Sequence, residues 1–180
     1  KTALKVDING KSVEETIQLT SAIISEKAYL RRFYRVKKDE NQGFGSYTHM
    51  QGKLVTLVVL NKDDQKLAND LAMQVAAMSA EYLKLEYIDQ DTMNYEKFMY
   101  EKQHGAFDEK DFMESLKSKT LLSQTFIKDP NLTIEEVLEQ HHASIIDFFK
   151  FELGQGIDNK LNCRLDIPCD GSKITVTPEY

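Results

Sequence analysis

One stretch decides the fold: Lys53-Leu54-Val55-Thr56-Leu57-Val58-Val59-Leu60, then Asn61-Lys62-Asp63-Asp64, then an amphipathic run over residues 65–83. The first part is short, apolar and rich in β-branched side chains, which predicts a buried strand. The polar residues after it are typical of a turn and of a helix N-cap. Apolar side chains then recur at helical spacing, at Leu67, Leu71, Val75, Met78 and Tyr82. The stretch therefore predicts a central strand followed by the main core helix over residues 65–83.

Other segments predict partners for this central strand. Residues 44–50 read as a second strand, and the turn signal Gln51-Gly52 predicts that it forms a hairpin with the central strand. A last strand is predicted over residues 144–153. Near the start of the chain, Ser12 and Glu15 have capping-box spacing, which predicts an amphipathic helix that packs on a sheet. The pattern predicts an α+β fold, with a mostly antiparallel sheet packed on helices.

Residues 88–122 are expected to form an antiparallel helical hairpin inserted into this core. Asp91 is predicted to cap a first helix, His104-Gly105 to end it, and Asp108 to begin a second helix. Four apolar side chains of the hairpin are predicted contacts with a second copy of the chain, because two helices alone leave one side of them in water: Phe98, Met99, Phe112 and Met113.

A basic segment at residues 31–38 is predicted to be a strand with a charged face. Three interpretations stay open. The first is a solvated edge strand whose charges deter edge-to-edge pairing. The second is contact with an acidic partner surface. The third is an RNA-binding domain in which Phe33 and Tyr34 stack on bases; the formal net charge of −6 disfavours a nucleic-acid surface.

The composition excludes several classes of protein. The chain has no apolar run of transmembrane length and no charged-then-apolar leader, so we expect no membrane contact and a cytoplasmic location. We expect no metal and no cofactor, and we find no phosphate-binding glycine loop, Gly-x-Ser-x-Gly or His-Glu-x-x-His motif to support a hydrolase or a transferase. Cys163 and Cys169 are expected to be free thiols, with a disulfide as the alternative.

Several segments, in chain order, resemble the elongation factor Ts family. The similar family patterns are Ile-Gly-Glu-Asn-Ile-x-x-Arg-Arg for residues 24–32, Ser-Tyr-x-His for residues 46–49, and Ile-Ala-Met-His-Ile-Ala-Ala for residues 71–77. Residues 121–138 resemble Leu-x-x-Gln-Pro-Phe-Val/Ile-x-Asp/Glu-Pro-x-x-Thr-Val-x-x-Leu, with Thr125 in place of the family's proline. Residues 148–157 resemble Phe-x-Arg/Lys-Phe/Tyr-Glu-Val/Leu-Gly-Glu-Gly-Ile.

The resemblance implies a guanine nucleotide exchange factor that promotes GDP release from elongation factor Tu. Such a factor is not an enzyme, because it acts by binding the nucleotide-free partner better than the GDP-bound partner. The resemblance also implies homodimerisation through the helical hairpin, no direct contact with nucleic acid, and a cytoplasmic or organellar-matrix location. The implied partner-binding residues are Ile24, Ser25, Arg31, Arg32, Tyr47 and His49.

Parts of the family pattern are not found. No Thr-Asp-Phe occurs in the 180 residues, and the family's N-terminal three-helix module is not recognisable. The resemblance therefore implies the core and dimerisation portion, at residues 1–160 with the hairpin at about 88–122. Residues 161–180 form an extension of unknown role, predicted to be a small β-hairpin. The alternative to an exchange factor is a partner-binding and dimerisation module without exchange activity of its own.

Overall fold

The computed structural model describes residues 3–31 and 33–154, and the predicted extension at 161–180 lies outside the described residues, as do Cys163 and Cys169. The described residues divide into two compact units, residues 3–37 and residues 38–154. Antiparallel sheets and helices are both present, so the predicted α+β class is confirmed. Among the described residues, no helix has the length and apolar character needed to cross a bilayer.

The first unit is a short hairpin followed by one helix. Strands β1 (Asp7–Ile8) and β2 (Lys11–Ser12) pair antiparallel, and α1 (Val13–Ile24) follows with the predicted capping box between Ser12 and Glu15. No residue of α1 is buried, and Ile23 is 82% exposed. Within the first unit the predicted packing of this helix on a sheet is not formed, because two strands of two residues offer too little apolar surface to cover it.

The predicted strand at residues 31–38 is also wrong. The described part of this segment is irregular. A strand needs a neighbour for its main-chain groups, and none of the strand pairs among the described residues includes this segment. Phe33 and Tyr34 are half-buried, so the continuous strand face that the RNA-binding interpretation requires is not formed.

The second unit holds the remaining elements in chain order. They are β3 (Gly43–His49), β4 (Leu54–Leu60), α2 (Gln65–Ala77), α3 (Gln90–His104), α4 (Glu109–Ser118), β5 (Thr125–Phe126), β6 (Asp129–Thr133), α5 (Ile134–Gln140) and β7 (Ile145–Glu152). The main sheet has the order β3-β4-β7 and is antiparallel throughout. The predicted central strand, its hairpin partner and the late strand are thereby confirmed.

Helix α2 covers one face of this sheet. Leu67, Leu71 and Val75 are buried there together with Val58 and Leu60 of β4. The apolar stripe read from the sequence is correct over these turns, and it forms the main core.

Close packing of α2 on the sheet depends on one glycine of β3. A Cβ atom at Gly45 would lie 1.9 Å from the carbonyl carbon of Ala68, so only glycine fits there. The strand and the helix are in main-chain contact at this point.

The core helix is shorter than predicted. It ends at Ala77 rather than Leu83, and Ser79 has a φ of 49°, in the left-handed region. Beyond it, Tyr82 forms a parallel bridge to Thr120, and its carbonyl accepts the amide of Leu121 at 2.8 Å. Met78 is exposed while Tyr82 is buried, because the chain leaves the helix to pair with the segment after α4.

Two smaller features complete the unit. Asp129-Pro130 begins β6, where the missing proline amide is tolerated at a strand start. Thr133 and Glu136 form a capping box at the start of α5.

The helical hairpin begins slightly earlier than predicted, since Asp89 rather than Asp91 caps α3. Gly105 ends that helix with a φ of 74°, and Asp108 caps α4 as expected. The ring of Tyr100 on α3 packs edge-on against the ring of Phe112 on α4, with centroids 5.6 Å apart. The two helices therefore fold back on each other.

Candidate functional site

Tyr47 and His49 are brought together at the end of β3. They are two residues apart on one strand, so their side chains share the face of the sheet that α2 covers. Tyr47 Oη lies 3.4 Å from His49 Nδ1, and the two rings are nearly parallel, with centroids 6.0 Å apart. Tyr47 is half-buried against the main core, whereas His49 is exposed. The tyrosine thus anchors a histidine ring that is open to a partner.

The strand beneath this pair is held in register by β4. Tyr47 faces Thr56 and His49 faces Leu54 across the ladder. Thr56 is buried, and its hydroxyl donates to the carbonyl of Ala72 in α2 at 2.7 Å. His49 therefore projects from a backbone that is fixed both by the sheet and by the core helix.

Three other predicted partner-binding residues lie in the first unit. Ile24 is the last residue of α1 and is half-exposed, and Ser25 follows it with a φ of 56°, which ends the helix. Arg31 is exposed in the irregular segment that follows. Arg32 lies outside the described residues. Tyr47 and His49 belong to the second unit.

The structure separates the four predicted dimerisation residues. Phe112 is 2% exposed and packs with Tyr82 and Leu116, and Met113 packs against the same cluster. Phe112 is therefore not an available contact for a second copy, because it faces the interior of its own hairpin. Phe98 is 60% exposed, and Met99 and Met113 are half-buried, so these three remain the candidates.

A buried polar cluster joins the base of the hairpin to the core. The carboxylate of Glu96 accepts a hydrogen bond from Tyr82 Oη at 2.6 Å and another from Lys119 Nζ at 2.7 Å. Glu81 lies 3.8 Å from the same ammonium group. These four side chains come from α3, from the segment after α2 and from the segment after α4.

The ionisation of this cluster follows from its burial. Burial raises the pKa of Glu81, although the positive charge of Lys119 acts against that shift. Burial alone lowers the pKa of Lys119, but its hydrogen bond to Glu96 and the charge of Glu81 raise that pKa overall.

Sequence reasoning missed this cluster. Glu96 stands among charged residues in the sequence, a composition that indicates a solvated helix face. The spacing of Glu96 does indicate burial, because it lies three residues after Met93 and four before Tyr100. Met93 and Tyr100 pack against the cluster that contains Phe112 of α4, so Glu96 lies on the same side of α3.

Comparison with known proteins finds one family that matches most of the chain. The family model described as Elongation factor TS matches residues 1–155. The chain is 34% identical to the Elongation factor Ts of Acholeplasma laidlawii, over 86% of this chain and 57% of the relative. It is 31% identical to the Elongation factor Ts of Oenococcus oeni, over 89% of this chain and 58% of the relative. The chain thus spans less than two thirds of the length of these relatives.

Proposed function

Since the chain belongs to the elongation factor Ts family, we propose that it acts in nucleotide exchange on elongation factor Tu, as a binding partner rather than as an enzyme. The observation that carries this proposal is the family match over residues 1–155. In this proposal the chain binds nucleotide-free elongation factor Tu more tightly than elongation factor Tu that carries GDP. Only such differential binding shifts the partner toward release.

The end of β3 supports this function physically. His49 is exposed, while its neighbour Tyr47 is anchored in the core and the strand is paired along its whole length with β4. A side chain held in place before binding loses little conformational entropy when a partner covers it. We therefore propose Tyr47 and His49 as partner contacts.

The first unit supplies the remaining proposed contacts, Ile24, Ser25, Arg31 and Arg32. Ile24 and Arg31 are exposed, and together they offer one apolar and one cationic side chain. Protein–protein interfaces in general combine both kinds of contact, with apolar groups at the centre and charges at the rim.

A second candidate function is partner binding without acceleration of GDP release. The 180 residues contain no Thr-Asp-Phe, which the family resemblance associates with intrusion near the nucleotide. Contacts that are equally good in both states of a partner shift no equilibrium, however strong they are. Homodimerisation through Phe98, Met99 and Met113 is proposed alongside either candidate function.

One experiment tests both candidates. The 180-residue chain is mixed with elongation factor Tu that carries fluorescent GDP, and sedimentation reports complex formation while stopped-flow fluorescence reports release. We expect a complex in which GDP release is faster than its spontaneous rate, whereas a complex with release at the spontaneous rate would support the second candidate. Acceleration by several orders of magnitude would assign exchange to these residues by themselves. The absence of any complex would reject the proposed partner.

A further inference from the structure

Among the residues that the structure describes, strand β3 is an edge of the main sheet, and half of its outer edge is open. In an antiparallel pair, alternate residues point their main-chain groups toward the neighbouring strand and away from it. The amide of Ser46 donates to the side chain of Asn69 at 3.2 Å, so the main-chain N–H and C=O of Ser46 point away from β4. Because this direction alternates along a strand, the main-chain groups of Phe44 and Thr48 also point away from β4.

Helix α2 closes the first half of this edge. Gln65 Nε2 donates to the carbonyl of Phe44, and Asn69 Oδ1 accepts the Ser46 amide and a second hydrogen bond from Gln65 at 3.1 Å. Gln65 and Asn69 are one helical turn apart. The main-chain contact of the helix with Gly45 brings both amide side chains within reach of the strand.

The second half of the edge has no such cover. One further turn along α2, the corresponding position is Met73, whose thioether is at most a weak acceptor. Within residues 3–31 and 33–154, the Ser46 carbonyl and the Thr48 amide and carbonyl have no hydrogen-bond partner, and both residues are exposed. We call these three groups the open half of the β3 edge.

The chain itself sets the length of this open half. Asn69 limits it on one side. On the other side the strand stops at His49, because Met50 and Gln51 have φ values of 49° and 57°, in the left-handed region. An added strand therefore finds about three main-chain hydrogen bonds here, next to the exposed side chains of His49 and Met50.

We propose that an extended segment of elongation factor Tu adds to the sheet at the open half of the β3 edge, with main-chain hydrogen bonds to Thr48. This inference rests on the proposed function. Unpaired amide and carbonyl groups at strand spacing recognise extended backbone. Met50, which is 60% exposed, and the half-buried Met73 flank the edge, so the added segment carries apolar side chains.

A second copy of the chain fits this edge less well. Two-fold antiparallel pairing centred on Thr48 places Ser46 of one copy opposite Met50 of the other. Met50 has left the extended conformation, so only the Thr48 pair forms hydrogen bonds. A segment of a different protein is not subject to this symmetry, and it can use all three open groups.

The test compares Thr48→Pro with Thr48→Val. Proline removes the outward amide, and the β3–β4 ladder does not use that amide, so the variant keeps the sheet. Valine changes the side chain and keeps the amide. We expect the dissociation constant for elongation factor Tu to rise about tenfold in Thr48→Pro and less than about twofold in Thr48→Val.

Amide hydrogen exchange on the unchanged chain makes the test independent of how well the proline variant folds. We expect the Thr48 amide to exchange rapidly in the free chain and to be protected in the complex. A complex in which that amide still exchanges rapidly, or one that Thr48→Pro does not weaken, would overturn the inference and leave the proposed function intact.

Two further outcomes would also overturn it. Protection of Thr48 that grows with the concentration of the chain alone would assign the edge to a second copy. The absence of any complex would reject the proposed function together with this occupant.

Discussion

Lys119 Nζ donates a hydrogen bond to the carboxylate of Glu96 at 2.7 Å, and Glu96 is only 7% exposed. The pair joins α3 to the segment after α4, so it holds the base of the hairpin. Replacing Lys119 by methionine keeps the apolar stem and removes the charge, which leaves a buried carboxylate with the Tyr82 hydroxyl beside it. We expect Lys119→Met to lower the free energy of unfolding by about 2 kcal/mol, measured by urea denaturation.

A charge-neutral control separates this effect from lost packing. The double variant Glu96→Gln with Lys119→Met removes the buried charge together with its partner, and we expect it to recover much of the loss. A single variant as stable as the unchanged chain would show that the Glu96 carboxylate does not depend on Lys119.

The same cluster predicts a dependence of stability on pH. Burial raises the pKa of Glu81 above its ordinary value of 4.5, so the folded chain favours the protonated form. Its contribution to stability is full below pH 4.5 and is lost as the pH rises through the folded pKa. We expect Glu81→Gln, which cannot ionise, to melt at a higher temperature than the unchanged chain at pH 7.

This advantage should disappear near pH 4, because the unchanged chain is then protonated at Glu81 as well. The exposed residue Glu139 offers a matched control, and Glu139→Gln should change the melting temperature little at either pH. A Glu81→Gln variant that is less stable at pH 7 would show that the ion pair with Lys119 outweighs burial.

The parts of this fold that could be predicted from sequence rest on local signals. The β4 run, the capping box at Ser12 and the stripe through Leu71 each depend on residues a few positions apart, and all three are confirmed. The resemblance to the elongation factor Ts family, drawn from short motifs in order, is likewise confirmed by the family match.

The parts that failed depend on distant neighbours. Helical spacing continues through Tyr82, but pairing with Thr120 draws that residue out of the helix. Phe112 and Phe98 look alike in sequence, and only the folding of α4 against α3 decides that the first is buried and the second exposed. The open half of the β3 edge has no sequence signature, since it consists of main-chain groups that Asn69 does not reach.

Gly45 allows a sharp test of how closely α2 approaches the sheet. Alanine there would place its Cβ 1.9 Å from the main chain of Ala68, which neither element can avoid without moving. We expect Gly45→Ala to cost about 3 kcal/mol of stability, measured by urea denaturation. Gly52→Ala is the control, because its surroundings are open and only its φ of 89° opposes a side chain, at about 1 kcal/mol. Equal costs for the two variants would contradict the close contact.

Phe98 tests the proposed homodimer. It is 60% exposed on α3, and a serine in its place removes apolar surface without creating a cavity in the hairpin. If Phe98 lies in a dimer interface, Phe98→Ser should weaken self-association at least about tenfold, measured by sedimentation equilibrium. Tyr87→Ser, at a similarly exposed aromatic residue before α3, should leave it unchanged. Identical association of the two variants and the unchanged chain would place the interface elsewhere.

His49 tests the proposed partner surface. Its ring is exposed, and Tyr47 beneath it keeps its own packing when the ring is removed, so His49→Ala should not change the melting temperature. A single interface contact commonly contributes about 1–2 kcal/mol, so the dissociation constant for elongation factor Tu should rise about fivefold to thirtyfold, measured by calorimetry. Gln140→Ala, at the exposed end of α5, is the control and should bind as the unchanged chain does. If His49→Ala binds as tightly as the unchanged chain, the histidine lies outside the interface. The proposed contact at the Thr48 amide then depends on the Thr48→Pro and hydrogen-exchange results alone.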